Sequence, residues 1–221
     1  MKILSIKQSL NTAQDSQIKK ITSIRQQVQH RDRYAIYIND KYSFSLGELE
    51  LLGSGLKVGQ KLNKQTIDRL KESVHFNKLY DQTLNYVMIR PHSRWELQQY
   101  LRRKKASAEQ IDKILIKLTA SGYIDDLKFS KAWVRDRRLL KAMSRRRLIV
   151  ELRQKHVPVE IINQVMAEDK TDDTTVLHNV IAKKRHQSMY KDDLKLMQFL
   201  SRQGYNYGDI KAALAQEKDE T

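Results

Sequence analysis

Two adjacent aspartates, Asp125 and Asp126, stand in the stretch SGYIDDLKFSKAWVRDRR, just ahead of an aromatic pair, Phe129 and Trp133, and a run of arginines. Paired carboxylates can hold a metal or carry acid–base chemistry. Either use needs further ligands at fixed spacing, and no nearby histidine supplies them. The six histidines (His30, His75, His92, His156, His178, His186) form no HxH, HExxH or Asp/His cluster, and most of them are expected in exposed positions or turns. With no cysteine in the chain, disulfides, thiolate metal sites and cysteine nucleophiles are excluded. There is no Walker-type loop, no G-x-S-x-G elbow and no dinucleotide fingerprint. Gly53-Ser54-Gly55 reads as part of a connecting loop, and Trp95 and Trp133 fall in apolar helical patterns that suit a core. These residues point away from an enzyme and from any cofactor.

The strongest chemical signal is charge. The chain carries a net +16 over 221 residues, and such an excess costs self-repulsion and usually faces a polyanion. Ten cations lie between Lys131 and Lys155 (Lys131, Arg135, Arg137, Arg138, Lys141, Arg145, Arg146, Arg147, Arg153, Lys155), against two acids, Asp136 and Glu151. Arginine dominates, and its planar fork binds phosphate or carboxylate bidentately. Arg135, Arg138 and Lys141 recur at intervals of three and are expected to share one broad helix face. With Arg102, Arg103, Arg145, Arg146, Arg147, Arg153 and Lys155 they form the expected contact set.

Which elements position these residues? The N-terminal segment MKILSIKQSL has too short an apolar run for a signal peptide or membrane span, and a soluble cytoplasmic protein is expected. The first 17 residues are polar and expected to fray. Composition then shifts near residue 62. Before it the chain alternates: Ile21, Ser23, Arg25 and Gln27 face one way, Thr22, Ile24, Gln26 and Val28 the other. Tyr34, Ile36 and Ile38 are followed by a tight turn at Asn39-Asp40-Lys41 into Tyr42, Phe44 and Leu46. GSGLKVGQ reads as a loop. Residues 1–62 are thus a small antiparallel β-rich segment, and 63–221 a helical region. Asn63 caps a helix carrying Ile67, Leu70 and Val74. A second helix runs from about Leu79 to Ile89 and stops at Arg90-Pro91. Ser93 and Glu96 then form a capping box.

The helical region repeats. SRWELQQYLRRKKASAEQIDKIL from Ser93 lies over SRRRLIVELRQKHVPVEIINQVM from Ser144, with Leu97, Leu101, Glu109 and Ile111 matching Leu148, Leu152, Glu160 and Ile162. KLMQFLSRQGYNYGDIKAAL from Lys195 fits again through Leu196, Leu200 and Ile210. The expected architecture is mainly α: three tandem three-helix repeats, about 76–122, 123–169 and 170–217, in an elongated curved array. In each repeat a short first helix precedes a leucine-bearing second and a third. Asp125-Asp126 and Asp172-Asp173 open the first helices, where carboxylates accept from free backbone N–H groups and complement the dipole. Gly122 suits the positive-φ end of the helix before.

The ordered series Arg90-Pro91-x-Ser93-x-x-Glu96-Leu97, Gly122-Tyr123-Ile124-Asp125-Asp126-x-x-Phe129, Trp133-Val134-x-x-Arg137 and Glu151-Leu152 resembles the RecX family of bacterial regulators of the recombinase RecA, over roughly Asn63 to Gln216. The N-terminal piece resembles an extension of longer members. Lys105 and His156 stand where the family often has glycine after the second helix, and Gly204 keeps it. Met143-Ser144 replaces another common glycine. Arg137, like Arg90, matches an arginine at the end of the first helix and is expected to bond its last carbonyls. The resemblance implies a non-enzymatic monomer that lies along the groove of the RecA nucleoprotein filament. It would suppress strand exchange, ATP hydrolysis and co-protease activity, and so regulate DNA repair and the SOS response. DNA, single-stranded or duplex, would be met directly or through the filament. The alternative is a direct DNA-binding regulator whose helix pairs act as helix-turn-helix units, with Arg145-Arg146-Arg147 entering a groove.

Overall fold

The computed structural model describes residues 18–219, so the expected frayed start falls outside the described residues. Strands β1 (Lys19–Gln26), β2 (Arg33–Ile38), β3 (Lys41–Gly47) and a short β4 (Lys61–Leu62) form an antiparallel sheet in the order β3-β2-β1-β4. The hairpin turn has Asn39 at φ 49° and Asp40 at φ 61°. Two left-handed residues give the turn the twist of the strands it joins, and Asn and Asp tolerate that conformation. Strict alternation would put Ile21 and Ile24 on opposite faces. The β1–β2 register instead shifts between Ile21 and Ser23. A bulge adds one residue to a strand, and Ile21 and Ile24 join one core with Ile36, Phe44, Leu62 and Ile67. A short helix α1 (Glu48–Ser54) extends into the stretch read as loop from Gly53. Seven residues are too few for apolar periodicity to announce it.

Asn63 does cap the next helix, α2 (Lys64–Ile89): its side-chain oxygen accepts from the Thr66 N–H at 2.7 Å. Ile67, Leu70 and Val74 pack on the sheet core. The sequence suggests two helices here, but there is one. No glycine or proline interrupts residues 64–89, and the helix continues until Pro91 forbids it. Because its first half packs on the sheet, the boundary between two compact units lies at Gln82/Thr83.

In the second unit follow α3 (Arg94–Arg103), α4 (Ala108–Ala120), α5 (Asp126–Lys141), α6 (Arg145–Gln154), α7 (Val159–Glu168), α8 (Asp173–Arg185), α9 (Asp193–Arg202) and α10 (Tyr207–Asp219). With the end of α2 they make three-helix repeats: α2–α3–α4, α5–α6–α7 and α8–α9–α10. The matched leucines Leu97, Leu101, Leu148, Leu152, Leu196 and Leu200 are all 0% exposed. Truncating such a residue to alanine costs about 2–5 kcal/mol. The first helix is not the short one: α5 has 16 residues against 10 in α6, and α8 has 13 against 10 in α9.

Replacing the family glycine does not alter the backbone after the second helix. Lys105, His156 and Gly204 all have positive φ, at 60°, 53° and 90°. At Gly204 space adds a second constraint, since a Cβ there would lie 2.6 Å from both Ser144 Oγ and Arg147 Cβ. Among the described residues no helix is long and apolar enough to cross a membrane.

Candidate functional site

The aspartates divide their work. Asp125 caps α5, accepting from the Lys128 N–H at 2.9 Å. Asp126 instead reaches the start of α3 in the repeat before, where it accepts from the Arg94 N–H at 2.8 Å. The next repeat does the same: Asp172 caps α8 through Thr175 N at 2.8 Å, and Asp173 accepts from Arg145 N at 2.7 Å, at the start of α6. The second carboxylate of each pair therefore joins successive repeats, which the sequence reading assigned to the helix it opens. Burial raises the Asp126 pKa above the usual aspartate value, against the opposing pull of the Arg94 N–H. Among the described residues no group of three or more His, Cys, Asp or Glu could hold a metal ion.

The family residues around Ser93 build the rest of the first joint. Ser93 and Glu96 form the expected capping box. The Ser93 hydroxyl also donates to the Lys155 carbonyl at 3.0 Å, and Lys155 Nζ meets Glu96 at 2.7 Å. Arg90 bonds the Pro91 carbonyl at 2.8 Å and pairs with Glu96 at 3.2 Å. Burial opposes the Glu96 carboxylate, but Arg90 and Lys155 together hold its pKa below the usual range. His156 stacks on Trp95 with ring centres 4.5 Å apart. At the second joint Ser144 N donates to the Gln203 carbonyl at 3.2 Å and the Tyr205 hydroxyl to the Ala142 carbonyl at 2.9 Å. Burial, with the Asp173 charge nearby, pushes Tyr205 up to about 12. His92, in the turn between α2 and α3, is 3% exposed and packs against Tyr86. Its burial and the Arg90 charge lower its pKa below 6.5, despite a bond to the Arg90 carbonyl and the Glu96 charge.

Gly122 closes α4 at φ 75°, Tyr123 is partly exposed, and Phe129 is buried in the second repeat's core with Trp133 against it. Trp133 Nε1 donates to Glu151 at 3.0 Å.

The ten basic candidates separate sharply. Arg138 is not on a free face. Its side chain is 8% exposed, pairs with Asp169 at 2.8 Å and Asp173 at 2.6 Å, and donates to the Met143 carbonyl at 2.7 Å. Both acids come from more than thirty residues later, so no local spacing could reveal them. Arg185 repeats the arrangement one unit on, with Glu217 at 2.9 Å, Asp193 at 2.6 Å and the Tyr190 carbonyl at 3.0 Å. Arg137, expected to bond the last carbonyls of its helix, instead donates to Glu151 at 2.9 Å and lies 3.9 Å over the Trp133 ring. The neighbouring Arg138 reaches a carbonyl just past the helix end, that of Met143. Lys155 is held in the first joint. Arg145 donates to the Met166 carbonyl at 2.6 Å, and Arg147 turns back toward Glu151 at 3.6 Å. Arg135 is exposed beside Asp136 at 3.1 Å. Arg102, Arg103, Lys141, Arg146 and Arg153 are exposed on α3, α5 and α6.

Residues 19–63 match the family model described as the regulatory protein RecX N-terminal domain, 80–118 the first three-helix domain of RecX, and 125–166 the second. A regulatory protein RecX of Listeria monocytogenes is 34% identical over 149 residues, 67% of this chain and 55% of that protein. The chain thus spans about half the length of the first relatives it matches. The RecX of Listeria welshimeri is 30% identical over 206 residues, covering 91% of this chain and 77% of the relative. Two crystal structures share the fold at 22% identity. One, of regulatory protein RecX, has a TM-score of 0.63 and covers 89% of this chain and 99% of its own. The other, of RecX from Lactobacillus salivarius, has a TM-score of 0.53 and covers 66% and 98%. From its N-terminal sheet to its repeated helices, this chain belongs to the RecX family of regulatory proteins.

Proposed function

We propose that this protein binds the RecA filament on DNA and restrains its strand exchange, ATP hydrolysis and co-protease activity, without chemistry of its own. Membership of the family carries the reading. The exposed cations on successive helices support it: Arg102 and Arg103 on α3, Lys141 on α5, Arg146 and Arg153 on α6. A filament offers acidic protein surface and phosphates, and both attract such residues. Arg138 and Lys155 leave the proposed contact set because their charge is matched inside the fold. The protein would act as a monomer in the cytoplasm. Direct groove reading by α6 draws less support, since Arg145, though exposed, is tied to the Met166 carbonyl and Arg147 turns back toward Glu151.

The test is RecA-promoted strand exchange and ATP hydrolysis on single-stranded DNA, with the parent protein and with Arg102→Glu, Arg146→Glu, Arg153→Glu combined. The parent should inhibit both activities. The triple reversal should inhibit far less while keeping its helical circular dichroism. Equal inhibition by both proteins, unaffected by salt, would place the contact elsewhere.

A further inference from the structure

The N-terminal unit holds a second cationic site, separate from the repeats. A cleft of about 580 Å3 opens between the sheet and α2. Lys71, His75 and Lys78 line its helical wall. Their spacing of four and three residues puts them in one row on the helix, about 10 Å long at 1.5 Å per residue. The opposite wall carries His30, Arg33 and Tyr42. Among the described residues, none that line the cleft is acidic. The α2 acids Asp68, Glu72 and Asp81 lie off it, and Lys71, His75 and Lys78 form no ion pair with a described residue. Arg33 is positioned, because one terminal nitrogen donates to the Ser45 carbonyl at 3.2 Å and hydroxyl at 3.3 Å. Its remaining N–H groups are left for a ligand. Tyr42 is 57% exposed and braced edge-on by Tyr37, with ring centres 6.1 Å apart.

Two unmatched lysines and a positioned arginine beside a supported, exposed aromatic ring have a specific use. The cations track a phosphodiester backbone, and the ring offers a base its flat face. We propose that this cleft holds a short segment of single-stranded nucleic acid, with Lys71, Lys78 and Arg33 on the phosphates and Tyr42 under a base. An acidic peptide would use the cations and leave the aromatic ring without a role. The proposal concerns the N-terminal unit and does not depend on the recombinase reading.

The experiment contains no recombinase. Binding of fluorescein-labelled oligothymidylate to the full chain is followed by anisotropy across a salt series, for the parent, for Lys71→Gln with Lys78→Gln, and for Tyr42→Ser. An abasic strand of equal length and an oligoglutamate of equal charge serve as competitors. The double lysine variant should bind at least tenfold more weakly at low salt. Its slope of log K against log salt should be shallower by about 1.4, two phosphate contacts at about 0.7 each. Tyr42→Ser should weaken binding of oligothymidylate but not of the abasic strand. A 4-thiothymidine strand should photo-crosslink within residues 18–82. An unchanged slope in the folded double variant, crosslinks confined to residues beyond Gln82, or equal competition by oligoglutamate would each overturn the proposal.

Discussion

Arg138→Ala should unfold much of the second unit's stability while leaving its exposed cations in place. The arginine and Asp169 are both 8% exposed, and Asp169 has no comparable cation to replace it. The substitution also frees the Met143 carbonyl. Removing one partner of a buried pair costs about 3–5 kcal/mol, because the other charge stays buried. The Asp173 contact adds little, since that carboxylate is 35% exposed and keeps the Arg145 N–H. The pKa directions agree with a mutually stabilised pair. Burial opposes both charges, but Asp169 is held below its usual value, helped by Thr171 and Arg138, and Arg138 is raised by Asp169 and Asp173. Against a typical domain stability of about 5–15 kcal/mol, the loss should be plain in urea unfolding followed by circular dichroism. Arg146→Ala, an exposed change on the next helix, should stay within about 0.5 kcal/mol. Arg138→Met with Asp169→Leu should recover most of the loss, since it removes both charges. If Arg138→Ala costs no more than Arg146→Ala, the network is not structural and Arg138 belongs with the exposed contact set.

Asp126→Asn should change stability by less than about 1 kcal/mol, because an amide oxygen can still accept from Arg94 and burial already disfavours the charge; Asp126→Ala should lose about 1 kcal/mol, a usual capping value. Added magnesium should leave both unfolding curves where they are, and a metal-dependent shift would restore the carboxylate-site reading. His92 has a lowered pKa in the fold, so its contribution is complete above pH 6.5 and declines below it, as the unfolded chain takes the proton first. Unfolding free energy should fall toward pH 5.5 by up to about 1.4 kcal/mol per pH unit, and His92→Gln should flatten that window; an equally steep decline in the variant would refute the assignment. Gly204→Ala should cost about 2–5 kcal/mol by thermal unfolding, from a left-handed backbone and contacts with Ser144 and Arg147, whereas Lys105→Gly, at a similar φ, should move stability by under about 1 kcal/mol.

The repeat was legible in the sequence because its signals are local. A leucine four residues from the next, a serine three before a glutamate and an aspartate at a helix start work through neighbours along the chain. The hairpin turn at Asn39-Asp40 and the stop at Arg90-Pro91 are equally local, since each depends on the backbone preferences of one or two residues. The bulge in β1 was not legible, because register depends on the partner strand. Neither was the continuity of α2, which lacked a breaker but showed two apolar patches serving different units. The same distinction divides the basic residues. Sequence alone determined how many cations the middle repeat carries. Tertiary structure decided that Arg138 and Lys155 answer carboxylates from other helices while Arg102, Arg146 and Arg153 face outward. A charge is matched by whatever lies within a few ångströms, and for Arg138 those atoms arrive from Asp169 and Asp173, more than thirty residues along the chain.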